Sequence, residues 1–143
     1  MPMNSNEQSF LTAETEINAP IEKVWTFWNA PEHITHWNSF SPEWETSSAV
    51  NDLKEGGRFL YVMGMKDGSF SFNFEGTYDD IIPNYLITYT LDDGRKSVIT
   101  FLGSNPVKIT ENFQPDKAQP HDMQKQYCQA VLDSFKAYVE LDL

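Results

Sequence analysis

The sequence has little cysteine and little positive charge, and each shortage excludes a class of protein. Its one cysteine, Cys128, allows no disulfide within the chain. Lysine and arginine total 10 residues against 21 aspartates and glutamates, so the formal net charge is -11. Because such a surface repels a phosphate backbone, nucleic acid is excluded as a partner.

Long apolar runs are also missing, and residues 1–8 are polar with no apolar signal core. We therefore expect no membrane insertion, and a cytoplasmic protein whose cysteine stays reduced. With 143 residues the chain can build one core without a disulfide or a metal. The expected organisation is a single domain over 1–143, with an ordered core at about 10–141 and an N-terminal tail at 1–8.

What the sequence does contain is aromatic residues, 4 Trp, 6 Tyr and 10 Phe, set in alternating segments. Residues 10–18 alternate as a strand, and Pro20 and Pro31 then begin two short helices. From Trp44 onward the period is two, and Gly- or Pro-containing turns separate the segments, which predicts antiparallel hairpins. The predicted strands are 44–50, 57–65, 69–81, 85–92, 96–103 and 107–113.

A final helix is predicted at 121–141, with the stripe Cys128, Leu132, Phe135 and Val139 along one face. The element order indicates an α+β fold in which this helix crosses a curved antiparallel sheet of about seven strands. A straight helix cannot lie flush on a curved sheet, so we expect an apolar cavity between them.

Several short motifs in this order are similar to those of a known family. They are Ile17-Asn-Ala-Pro20 with Val24-Trp25, His36-Trp37-Asn38, Asp52-Leu-Lys-Glu-Gly-Gly-Arg-Phe59, Asp67-Gly-Ser69, Phe74-Glu-Gly76, Ile82-Pro83, and Gln129-Ala-Val-Leu132 with Phe135. The chain resembles the START-like (SRPBCC) superfamily, and within it the group homologous to the activator of the heat shock protein 90 ATPase. The resemblance implies a helix-grip fold. That group often has Gly-Trp where this chain has Tyr127-Cys128.

The cavity wall is expected to consist of large side chains from the sheet and from the final helix. On the strand at 57–65, Phe59, Tyr61 and Met63 share a face, and Phe72 and Phe74 do so on the next strand. The predicted wall residues are Trp37, Phe59, Tyr61, Met63, Phe72, Phe74, Tyr89, Tyr127, Cys128, Val131, Leu132 and Phe135. Tyr61, Tyr89 and Tyr127 can supply hydroxyls that orient a ligand. Glu75 is expected to point away from the phenylalanines.

Three functions stay open on this sequence. The favoured one is binding of a small hydrophobic or amphipathic molecule in the cavity. A cyclase or dehydratase type of enzyme would need an ionisable group inside the cavity, and the sequence places none there clearly. A chaperone-linked interaction domain would need an exposed docking surface. A homodimer is an open alternative to a monomer.

No cofactor and no metal are expected. His33 and His36 are three residues apart on a short predicted helix, but no third ligand with recognisable spacing follows. Glu55-Gly56-Gly57 is a tight turn and lacks the lysine and helix of a phosphate-binding loop.

Overall fold

The computed structural model describes residues 10–141, which form one antiparallel sheet and three helices. The predicted tail at 1–8 lies outside the described residues. In chain order the elements are β1 (Leu11–Ile17), α1 (Ile21–Asn29), α2 (Pro31–Trp37), β2 (Trp44–Asn51), β3 (Arg58–Met65), β4 (Ser71–Ile82), β5 (Leu86–Leu91), β6 (Lys96–Gly103), β7 (Val107–Phe113) and α3 (His121–Leu141). The predicted α+β order is confirmed.

The seven strands lie in the order β1-β7-β6-β5-β4-β3-β2, and each neighbouring pair is antiparallel. Each strand from β2 to β6 is joined to the next by a hairpin. β1, the first strand of the chain, lies at the edge of the sheet beside β7. Several turns contain glycine in a left-handed conformation, among them the turns at Gly68, with φ of +79°, and at Gly94, with φ of +97°. These turns require glycine because other residues seldom adopt such values.

The sheet is strongly curved, as predicted. Irregular pairing between Thr46 and Ser48 bends β2, and a second irregularity between Tyr78 and Asp80 bends β4. The curl produces a half-barrel whose concave face carries the buried side chains. The helix-grip arrangement is thereby confirmed.

All three helices contribute to the core on this concave side. α3 packs against β1, α1 and α2. Its residues Leu132, Phe135 and Val139 are completely buried. The ring of Phe135 meets Trp28 and Trp37 edge-on, at centroid distances of 5.0 and 4.8 Å. These contacts divide the interior into a solidly packed end and an open end.

Of the helices within residues 10–141, none is long and apolar enough to cross a lipid bilayer.

Candidate functional site

The open end of the interior is a cavity of about 300 Å³ between the concave face of the sheet and the first half of α3. Its wall includes most of the residues predicted from the sequence: Trp37, Phe59, Tyr61, Met63, Phe72, Phe74, Tyr89, Tyr127, Cys128 and Val131. That any of them contacts a ligand stays a prediction.

Leu132 and Phe135 were also predicted to line the cavity, and the structure places them elsewhere. Both are 0 % exposed and belong to the packed core. Phe135 sits behind Trp28 and Trp37, and these two indoles form the wall in its place. Only the part of the helix stripe nearest the start of α3 therefore faces open space.

The pairing of β3 with β4 explains how the aromatic wall is built. Phe59 lies opposite Gly76, Tyr61 opposite Phe74, and Met63 opposite Phe72. Gly76 leaves room for the Phe59 ring, since a Cβ there would come within 3.1 Å of Phe59 and 2.5 Å of a backbone oxygen in β5. The alternation predicted from the sequence thus directs these side chains inward together.

Buried tyrosine hydroxyls line the same wall. The Tyr78 hydroxyl donates a hydrogen bond to Asn51 Oδ1 at 2.5 Å, and burial raises the pKa of Tyr78 to about 12. Burial also raises the pKa values of Tyr61 and Tyr89 well above their usual value. These phenols stay neutral at physiological pH and can both donate and accept hydrogen bonds. Tyr127 differs, being 43 % exposed.

The most consequential wall residue was missed by the sequence analysis. Glu111 lies on β7 between Ala13 of β1 and Ile99 of β6, and its side chain lines the cavity. Burial raises its pKa to about 7, and interaction with the Cys128 thiol offsets part of that rise. The signal was present in the sequence, because Val107, Ile109 and Glu111 alternate with outward residues.

Cys128 faces Glu111 from α3. Burial raises the pKa of its thiol, and the negative charge of Glu111 adds to that rise. The thiol is therefore protonated at physiological pH and acts as a weak hydrogen-bond donor rather than as a nucleophile.

Polar side chains near the start of α3 border the cavity but are engaged elsewhere. Gln114 Oε1 accepts from the backbone N–H of Lys96 at 2.8 Å. Gln124 accepts from the backbone N–H of Asp116 and donates to its carbonyl oxygen, at 2.8 and 2.7 Å. These bonds fix the loop that precedes α3. Sequence patterns do not reveal such contacts because loops lack periodicity.

The mouth of the cavity is aromatic. Phe40 and Tyr127 pack with ring centroids 4.5 Å apart, and Phe40 also contacts Trp44 at 4.7 Å. Phe72 and Phe70 continue this surface and are 37 % and 55 % exposed. A ligand entering here would meet apolar surface before reaching the interior.

The other candidates from the sequence lie away from this cavity. The Nδ1 atom of His33 is 2.7 Å from the hydroxyl of Tyr138, and the ring of His36 stacks on the ring of Tyr138. Within residues 10–141, no cluster of three or more potential ligand side chains is suited to a metal ion. Glu75 points away from the phenylalanines, as expected, with its carboxylate 3.5 Å from Arg58.

Comparison with known proteins supports the fold. A family model described as activator of Hsp90 ATPase homolog 1-like protein matches residues 18–140. The solution structure of an AHSA1-like protein from Aeromonas hydrophila is 34 % identical, covers 92 % of this chain and 94 % of that chain, and has a TM-score of 0.84. The protein Chr148 from Cytophaga hutchinsonii is 46 % identical over 93 % of each chain, with a TM-score of 0.80.

More distant similarity shows the fold alone. A crystal structure from Nitrosomonas europaea superposes with a TM-score of 0.79 over 98 % of each chain at only 16 % identity. Among curated proteins, none matches this chain.

Proposed function

The chain belongs to the family of activator of Hsp90 ATPase homolog 1-like proteins, within the START-like superfamily, and we propose that it binds a small hydrophobic or amphipathic molecule. The observation that carries this proposal is the cavity itself. Its wall is formed mainly by aromatic and aliphatic side chains, and its mouth is also aromatic. An apolar molecule gains about 25 cal/mol for each Å² of apolar surface that it removes from water.

The size of the cavity limits the ligand. A volume of about 300 Å³ is at the lower end of the range of roughly 300–1,000 Å³ for small-molecule pockets. The proposed ligand is thus about the size of a fused-ring aromatic compound. We also propose a cytoplasmic location, where the free thiol of Cys128 stays reduced.

A neutral environment-sensitive dye, N-phenyl-1-naphthylamine, tests the binding proposal. We expect the native chain to bind it with enhanced fluorescence, and Cys128→Trp to bind it weakly because an indole would occupy the cavity. Gln126→Trp is the matched control, since it adds the same indole at an exposed position on the same helix. Native mass spectrometry of the purified protein would reveal a co-purified molecule and a homodimer.

Equal dye binding by the native chain and Cys128→Trp would contradict the proposal, because the dye would then be on the surface. That result would favour an interaction domain that docks through the exposed aromatic side chains at the mouth, Phe70 among them.

A second candidate, proton transfer in the same cavity, is favoured by one observation. Glu111 is an ionisable group on the wall with a pKa of about 7, and a general base is most effective when its pKa is near the working pH. The probe is 5-nitrobenzisoxazole, in which removal of the ring C–H proton breaks the N–O bond and releases a coloured phenolate. If the native chain released the phenolate no faster than Glu111→Gln, that result would count against Glu111 as a base.

A further inference from the structure

Of the described residues that line the cavity, Glu111 alone is acidic. Its strand neighbours, Ala13 and Ile99, have side chains that cannot form hydrogen bonds. The thiol of Cys128 interacts with its carboxyl group, and the phenols of Tyr61 and Tyr89 lie near enough for a Coulomb interaction. A carboxylate is therefore held in a largely apolar cavity with a weak donor, the thiol, beside it.

The carboxyl group of Glu111 has acceptor capacity left over. A carboxylate has two oxygens with about four lone-pair sites, whereas a thiol donates a single weak hydrogen bond. Within the described chain, no completely buried side-chain nitrogen or oxygen lacks a partner. An oxygen of Glu111 that has no protein partner is therefore exposed, and since Glu111 lines the cavity, a ligand there can use it.

The groups around Glu111 suit a cation. The phenols of Tyr61 and Tyr89 and the thiol of Cys128 face it from β3, β5 and α3, and all three are neutral at physiological pH. Arg95 also borders the cavity, but its Nε atom donates to Asp93 at 2.9 Å. Aromatic rings offer the π faces that attract a cation when it is shielded from water.

Resting on the proposed function, we propose that the ligand is an apolar molecule with a protonated amine, and that the amine donates a hydrogen bond to the carboxylate of Glu111. The net charge of -11 attracts cations to the protein. A ligand carboxylate would instead face Glu111 with like charge. A neutral hydroxyl could also donate to the carboxylate, but it would lack the Coulomb attraction between opposite charges that an ammonium group adds.

Three ligands of similar shape separate these cases: 2-naphthylmethylamine, 2-naphthylmethanol and 2-naphthoate. At about pH 8, calorimetric titration should show the highest affinity for the amine, a lower affinity for the alcohol and the lowest for the carboxylate. Because the ammonium group adds the attraction of an ion pair to its hydrogen bond, the amine should bind about ten- to a hundredfold more tightly than the alcohol. In Glu111→Gln, which keeps the shape and one acceptor, the two affinities should become similar.

The pH dependence in the native chain is a second measurement that needs no variant. Glu111 gains a proton as the pH falls through about 7, whereas the amine stays protonated throughout. The ratio of amine to alcohol affinity should therefore fall toward one between about pH 8 and pH 5.5.

The outcomes distinguish the two levels of the proposal. The amine proposal would be overturned if the amine bound no more tightly than the alcohol, or if its higher affinity persisted in Glu111→Gln. In either case, binding of the alcohol would still support the proposal that the cavity binds an apolar molecule. Failure of all three ligands to bind the native chain would overturn both.

Discussion

Replacing Glu111 by glutamine should change how the stability of the ligand-free fold depends on pH. The ordinary pKa of a glutamate is 4.5, and burial raises that of Glu111 to about 7. Between these values the folded state keeps a proton that the unfolded state has lost. The contribution of Glu111 to stability is therefore fully present below about 4.5 and is lost as the pH rises through 7.

The size of this effect follows from the two pKa values. They differ by about 2.5, and each pKa unit corresponds to about 1.4 kcal/mol, so the change is about 3–4 kcal/mol. This is an upper value, because water that enters the cavity would solvate the carboxylate. Glutamine stays neutral at every pH. Glu111→Gln should thus be the more stable protein at about pH 8 and should approach the native chain at low pH.

Urea unfolding followed by tryptophan fluorescence at intervals between about pH 5 and pH 8 measures the difference. Glu140→Gln is the control, because the Asn18 N–H and Lys136 hold the pKa of Glu140 below its usual value of 4.5. The contribution of Glu140 to stability is fully present above about 4.5, so the cost of this substitution should stay constant between about pH 5 and pH 8. A stability difference between the native chain and Glu111→Gln that does not change with pH would refute the reasoning.

Four other substitutions probe the packing around the cavity. Cys128→Trp should leave the thermal midpoint of unfolding nearly unchanged if its indole enters the cavity. If the interior were already packed, the substitution would lower the free energy of unfolding by about 1–3 kcal/mol or more. Phe135→Ala should lower the free energy of unfolding by about 3–5 kcal/mol, and Phe72→Ala at the exposed mouth should lower it clearly less; equal losses would contradict the division between core and wall. Thr46 Oγ1 donates to the carbonyl oxygen of Asn38 at 2.6 Å and accepts from its Nδ2 at 3.1 Å. Thr46→Val should therefore lower the free energy of unfolding, measured in urea, by about 1–3 kcal/mol. An unchanged urea midpoint would show that these two hydrogen bonds add nothing to stability.

The element order and the inward faces of the strands could be read from the sequence. The alternation of Phe59, Tyr61 and Met63 predicts one shared face, and the pairing of β3 with β4 shows it. Turn residues such as Gly68 and Gly94 fix where strands end, because their backbone conformation is local. The same holds for α3, whose bounds match the predicted 121–141. All of these features depend on residues close together in the chain.

The tertiary structure decided which inward residues face open space. Periodicity puts Leu132 and Phe135 on the same stripe as Cys128, but only the curl of the sheet and the two indoles of Trp28 and Trp37 determine how far the packed core extends along α3. Periodicity likewise turns Glu111 inward, yet a strand pattern says nothing about what lies opposite. Cys128 meets it because α3 crosses the concave face there, and that contact depends on the curvature of the whole sheet.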